Sequence, residues 1–214
     1  IRSRRSIRAF EDREVPRELV EEVVADALWS PSYKNSQPWE VIALSGEKKT
    51  ALSERLVELS RSGVEPTPDL PTPADWPAAE KARIDHLYRT REEATGISLN
   101  DPEIVKKSRV ANFRFYRAPV AVYLLQEASL TLWSLFDLGL FAQSFMLAAH
   151  ARGLGTVPQA FATDYARQTK EFLSIPSTKR LVLGLSLGYP DQASPLNALR
   201  TDRSPTAEFL TWID

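Results

Sequence analysis

The chain has 214 residues, 43% hydrophobic and 26% charged, an ordinary globular composition with room for one domain or at most two, which excludes disorder and collagen-like structure. It has no cysteine and only two histidines, His86 and His150, which removes disulfide frameworks, thiolate metal sites, iron-sulfur clusters and cysteine nucleophiles. With 27 basic against 28 acidic residues the net charge is −1, so nucleic acid and anionic membranes are not expected partners, and an enzyme of this composition is expected to use a bound cofactor as its reactive group.

The first 17 residues carry six arginines (Arg2, Arg4, Arg5, Arg8, Arg13, Arg17) against three acids, a local basic patch in a balanced chain. The opening IRSRRSIR lacks an apolar core and is not read as a secretory signal. A start at Ile1 reads as a trimmed N-terminus, and a cytoplasmic location is expected. Residues 16–29 place Leu19, Val20, Val23, Val24, Ala27 and Leu28 on one helical face, with Pro16 suited to a helix start. The helix is expected to stop at Ser30-Pro31, and the polar run SPSYKNSQP leads into a strand, WEVIALS. A second helix is predicted over about 48–61.

Residues 66–77 hold five prolines in twelve positions, too many for helix or central strand, and predict an extended loop or lid. A strongly charged helix over 78–95, a break at Gly96 and a helix over 102–112 follow. Together, positions of about 65–100 read as an insertion over a single domain spanning 1–214. PVAVYLL (119–125) and RLVLGLSLG (180–188) are predicted buried strands. Between them, Leu132 to Arg152 is apolar enough to raise the question of a membrane span. Asp137, Gln143, Ser144 and His150 interrupt it on more than one face, favouring a helix buried in a soluble core or subunit interface. Thr163 or Asp164 is expected to cap a short helix ending near Leu173. The tail of about 194–214 reads as an irregular extension until its last turn.

Four segments carry residue types suited to ligand chemistry. RRSIR puts Arg4, Arg5, Ser6 and Arg8 within five positions, and guanidinium forks suit phosphate oxygens. SPSYKNSQPWE offers Pro31, Ser32 and Asn35 on a polar turn. GLGTVPQAF lacks the third glycine of a dinucleotide fingerprint and follows a helix, so it reads as a helix end at Gly153 and an extended run, Thr156 to Ala160, with backbone amides free for a ligand. NALRTDRSP adds Arg200 and Arg203. Taken singly, each segment is equally readable as a solvated arm, a connection, a cap or a tail. No Ser-His-Asp, paired-carboxylate or metal-ligand spacing stands out.

In this order and at these separations, RRSIRAF, SPSYKNSQPWEV, DLGLFAQSFMLAA, GLGTVPQAF, LVLGLSLGYPD and LNALRTDRSP together resemble the FMN-dependent nitroreductase family, in particular its nitrobenzoate-reductase-like branch. The resemblance implies an α+β sandwich, a mostly antiparallel sheet flanked by helices, assembled as an intertwined homodimer with FMN at the interface. By it, Arg4, Arg5 and Ser6 would meet the FMN phosphate and ribityl chain, and Arg8 the pyrimidine edge of the flavin. Pro31, Ser32 and Asn35 would reach the flavin held mainly by the other subunit. Pro158, Gln159 and Ala160 would line one flavin face, with a backbone amide near Ala160 aimed at N5. Arg203 and Arg200 would complete the phosphate site, and Arg114 would lie near the pyrimidine. Two departures stand out: Ala160-Phe161 replaces the Glu-Gly of some members, and residues 65–96 have no counterpart in the smallest ones. The implied activity is ping-pong hydride transfer from NADH or NADPH through flavin N5 to a small nitroaromatic or quinone acceptor. Ene reduction, reductive dehalogenation or flavin fragmentation on the same scaffold, and a non-catalytic anion binder, are the alternatives.

Overall fold

The computed structural model describes residues 1–213. In chain order it contains α1 (Arg17–Ala27), β1 (Glu40–Leu44), α2 (Gly46–Arg61), α3 (Ala78–Thr95), α4 (Pro102–Phe113), β2 (Val120–Glu127), α5 (Leu132–Ala151), β3 (Gly155–Gln159), α6 (Ala166–Leu173) and β4 (Lys179–Gly188). The strands form one antiparallel sheet in the order β1-β2-β4-β3.

The continuous apolar run of β2 follows from its central place, with both faces covered. Val120, Val122 and Leu124 join Val23, Leu138, Phe141 and Phe145 in a core under α1 and α5. Ala121, Tyr123 and Leu125 join Leu52, Leu56, Phe113 and Tyr165 in a second core under α2, α4 and α6. A register shift at Leu124/Leu125 leaves Val182 of β4 as the extra residue. The helix α5 is long and apolar enough to cross a membrane by length and composition, but half of it is buried within the protein. It packs along α1 and closes one face of the sheet.

Two sequence expectations are corrected. The residue preceding α6 is Tyr165, and neither Thr163 nor Asp164 caps the helix. The Thr163 hydroxyl bonds the Ala160 carbonyl inside a tight turn, and Asp164, itself buried, pairs with Arg109 at 3.2 Å. Burial outweighs that cation and raises the Asp164 carboxyl above the ordinary aspartate value. In the C-terminal tail the helical turns lie at Pro195–Asn197 and Thr206–Glu208, not at the end, and Asp214 is outside the described residues. The Pro-rich stretch is loop, as its prolines require, and the helix after it, α3, has no buried residue.

Candidate functional site

The N-terminal arm is sewn to the start of β3. The Ile7 amide donates to the Thr156 carbonyl at 2.9 Å, and Ser6 forms a parallel bridge with Thr156. Ile7 is 4% exposed and fills the space where a side chain at 155 would begin: a Cβ there would lie 2.6 Å from Ile7 Cγ1, so only glycine admits the arm. Gly153, at φ 75°, ends α5 in the left-handed conformation and turns the chain into β3.

This seating carries Arg4 and Arg5 into a cavity of 210 Å³ lined by Ser3, Gly153, Gly155, Thr156 and His150. Ser3 Oγ meets His150 Nε2 at 2.8 Å, and Arg5 Nη2 donates to Gln192 Oε1 at 3.3 Å. Arg4 Nη1 and Arg5 Nε are buried and have no hydrogen-bond acceptor. Unpaired buried donors on charged groups are costly, and an oxyanion supplies the acceptors they lack. A phosphate monoester fits this donor set.

Arg8 follows on the same arm. Its amide and that of Ala9 donate to Asn197 Oδ1 at 2.8 and 3.3 Å, while Asn197 Nδ2 donates to the carbonyls of Ala9 and Asp191. Asn197, 3% exposed, therefore staples the C-terminal segment to the arm. Nothing in NALRTDRSP distinguishes a buried amide from an exposed one, so this role of Asn197 is not legible in the sequence.

At the end of β3 Pro158 is exposed and Gln159 buried, and Ala160, just past the strand, is exposed again. The Gln159 side chain is turned inward: Nε2 donates to the Asn112 carbonyl at 2.9 Å and to its side-chain oxygen at 3.2 Å. Ser186 Oγ lies within hydrogen-bond distance of both Gln159 Oε1 and the Phe115 carbonyl. The Gln159 side chain is therefore not free for a ligand. The network ties β3 to a turn in which Phe115, Tyr116 and Arg117 all have positive φ, between 50° and 60°. Bulky residues in that region store strain, which persists only where surrounding structure enforces it.

A second strained turn holds the other predicted polar group. Lys34, Asn35 and Gln37 have φ of 54°, 56° and 48°. Ser32 Oγ accepts from the Gln37 amide at 3.0 Å, and buried Asp137 of α5 accepts from the Tyr33 amide at 3.1 Å. Pro31 and Asn35 are exposed. Asp137 and His150 stand near opposite ends of α5, roughly 20 Å apart at the helical rise. One chain therefore does not bring Pro31, Ser32 and Asn35 to its own Arg4 and Arg5.

Arg8 and three further predicted arginines do not line the Arg4–Arg5 cavity. Arg114 borders a different one with Lys49 and Arg117, where burial lowers the Lys49 ammonium below the ordinary lysine value. Arg200 Nη1 donates to the Asn197 carbonyl at 3.0 Å. Arg203 Nη1 donates to Thr201 Oγ1 at 2.9 Å and lines an 810 Å³ cavity between α3 and the tail. Among the described residues no group of three or more His, Asp or Glu is placed to hold a metal ion.

An antiparallel sheet with helices on both faces, and a glycine-seated arginine arm at its edge, defines an α+β protein with a cavity lined by unpaired arginine donors. The nitroreductase family profile matches residues 1–189, and the chain belongs to this family. A 4-nitrobenzoate reductase from Pseudomonas putida is 34% identical over 98% of this chain and 92% of its own length. A nitrobenzene nitroreductase from Ectopseudomonas oleovorans is 31% identical over 100% and 95%. The crystal structure of the FMN-dependent nitroreductase NfnB from Mycobacterium smegmatis, in complex with NADPH, matches with a TM-score of 0.94 at 29% identity, covering 100% of this chain and 96% of that one.

Proposed function

We propose that the protein is an FMN-dependent NAD(P)H oxidoreductase that reduces nitroaromatic acceptors as a homodimer in the cytoplasm, where reduced nicotinamide is supplied. The observation that carries this reading is the pair of buried, acceptor-less nitrogens, Arg4 Nη1 and Arg5 Nε, in a family whose solved member NfnB is FMN-dependent. Arg4, Arg5 and Ser6 would hold the phosphate, with Arg8 at the ring edge as a cation that favours negative charge there. Pro158 and Ala160, the exposed residues of the β3 end, would line one ring face, held in place by the inward Gln159. When bound, FMN supplies the two-electron redox chemistry that no side chain of this chain has. The protein's part is binding, orientation and exclusion of water.

The homodimer is supported by two features. Pro31, Ser32 and Asn35 are too far from Arg4 in the same chain, so a second copy would bring them to the site. An apolar surface is also exposed where α5 begins: Trp29 is 91%, Leu132 79%, Trp133 64% and Phe136 60% exposed, and Trp133 stacks on Tyr33 beside the strained turn. Contiguous apolar surface of this kind marks an interface. Arg114, Arg200 and Arg203 belong to this proposal as groups that would approach the ligand on assembly.

The test is an anaerobic experiment on FMN-loaded protein. NADPH or NADH is expected to bleach the flavin absorbance, and a nitroaromatic acceptor to restore it. Protein that binds FMN but is not bleached by either nucleotide, or not reoxidised by the acceptor, contradicts the reading.

A further inference from the structure

Among the described residues no acidic side chain lines the Arg4–Arg5 cavity. Its polar walls are the two arginines, Ser3, Thr156 and Gln192, together with His150. His150 belongs to the last turn of α5, where the negative end of the helix favours a cation. Carboxylates on the flanking elements are engaged elsewhere. Glu22 and Asp26 of α1 pair with Arg152, two residues beyond His150, at 3.2 and 2.6 Å, and Asp191 Oδ1 accepts from the Ala193 amide at 3.0 Å. The charged groups that share the cavity with His150 are thus Arg4 and Arg5.

Ser3 Oγ and His150 Nε2 are 2.8 Å apart, so one hydrogen lies between them, and its owner decides what Ser3 offers the cavity. A ring with a bare Nε2 takes the Ser3 hydrogen and leaves the hydroxyl only lone pairs, which repel a phosphate oxygen. A ring that carries hydrogen on Nε2 donates to Ser3 Oγ instead, and the hydroxyl hydrogen is free for a ligand. Protonation of the ring guarantees that second arrangement and adds a positive charge beside the acceptor-less Arg4 Nη1 and Arg5 Nε. Imidazole is the side chain that makes this change at physiological pH. The two arginines oppose a third positive charge, the helix end favours it, and a phosphate monoester with close to two negative charges tips the balance toward the protonated ring.

We propose that Ser3 and His150 form a proton-linked element of the phosphate site: FMN binds with uptake of a proton at His150, and Ser3 passes that change to the phosphate as a hydrogen-bond donor. This deepens the reductase reading and rests on it, since the anion is that of FMN. The bound state holds more protons than the free one, so FMN affinity rises as pH falls through the range in which the ring titrates, and levels off outside it. Retention of the cofactor, and not only turnover, then follows the pH of the surroundings.

The test is a titration of the apoprotein with FMN and with riboflavin over about pH 5.5–8.5, a span that brackets imidazole titration, in wild type, His150→Gln and Ser3→Ala. The FMN phosphate itself loses charge toward the acid end, so the proteins are compared with one another at each pH. At the acid end wild type is expected to bind FMN about five- to tenfold more tightly than His150→Gln, the gap between a neutral and a charge-assisted hydrogen bond. That advantage is expected to vanish at the alkaline end. Ser3→Ala is expected to lose it as well, and riboflavin to bind all three proteins equally at every pH. NMR of the two imidazoles of wild type gives a readout that does not depend on how a variant folds: FMN is expected to keep the His150 ring protonated to higher pH, and riboflavin to leave its titration unchanged. A wild-type advantage that is the same at every pH, a Ser3→Ala variant that keeps the acid advantage, or a His150 ring whose titration FMN leaves untouched overturns the proposal. Protein that binds neither flavin contradicts the reductase reading itself, whereas protein that prefers FMN with parallel pH profiles in wild type and His150→Gln contradicts only the proton linkage.

Discussion

The N-terminal arm and α3 are both rich in arginine and both flank the Pro195–Asn197 turn, yet the protein holds them in opposite ways. The arm is fixed by backbone pairing to Thr156, by Ile7 wedged over Gly155 and by three hydrogen bonds of Asn197. The helix α3 buries nothing completely. It meets the tail through exposed contacts: His86 with Asp202 at 3.0 Å, Arg83 with Glu208, and Arg83 over the Phe209 ring at 5.1 Å. Exposed pairs of this kind contribute little stability. A cofactor that stays bound needs the first kind of support, because misplacing its reactive atom slows every turnover. A segment that admits and selects acceptors is suited by the second, since weakly packed elements open at low cost.

This contrast can be broken at its seat. Gly155→Ala is expected to have the largest effect, because its Cβ would lie 2.6 Å from Ile7 Cγ1 and must displace the arm or strain the core. Overpacking of this sort costs about 1–3 kcal/mol. Urea unfolding should register that loss, and FMN affinity should fall with it; a stable variant with unchanged FMN affinity would show that Ile7 does not position the arginines.

A smaller effect is expected one layer deeper. Ser186→Ala removes a buried hydroxyl from Gln159 Oε1 and the Phe115 carbonyl, at a cost of about 1–3 kcal/mol. Thermal unfolding should show the loss, with FMN-to-protein stoichiometry retained at low temperature. If Ser186→Ala melts like the parent, the network is not what holds the end of β3.

The smallest effect is predicted for the outer clasp. His86→Ala, at an exposed pair, should leave unfolding and FMN affinity within error and change only the KM for bulky acceptors. A large fall in FMN affinity in that variant would mean that α3 belongs to the cofactor cradle after all, and the contrast would collapse.

Much of the scaffold was legible because its signals are local. The period of apolar residues locates α1, the unbroken run of β2 announces a strand covered on both faces, and the prolines of 66–77 exclude regular structure. The density of charge at Arg4 and Arg5 was legible as a match for phosphate oxygens, equally readable as a solvated arm, and the buried nitrogens without acceptors support the first reading. What escaped is set by contacts between distant segments. Asn197 acts on a backbone 189 residues away, and Gln159 turns inward because Asn112 and Ser186 meet it from two other elements. The separation of Pro31, Ser32 and Asn35 from Arg4 depends on the length of α5, which a list of motifs does not express. Thr163 and Asp164 have the side chains of helix caps, but the preceding turn and Arg109 take them first.

The central claim is that the rigid arm is a phosphate cradle for a flavin. Titrating the apoprotein with FMN and with riboflavin, which differ only by the phosphate, tests it most directly. Wild type is expected to prefer FMN strongly, by about a hundredfold or more if the two unpaired arginine nitrogens each gain a charge-assisted hydrogen bond of about 1.5–3 kcal/mol. Arg4→Ala should erase most of that preference by weakening FMN and not riboflavin. Equal affinity for the two flavins in wild type, or an Arg4→Ala variant that weakens both alike, would contradict the account.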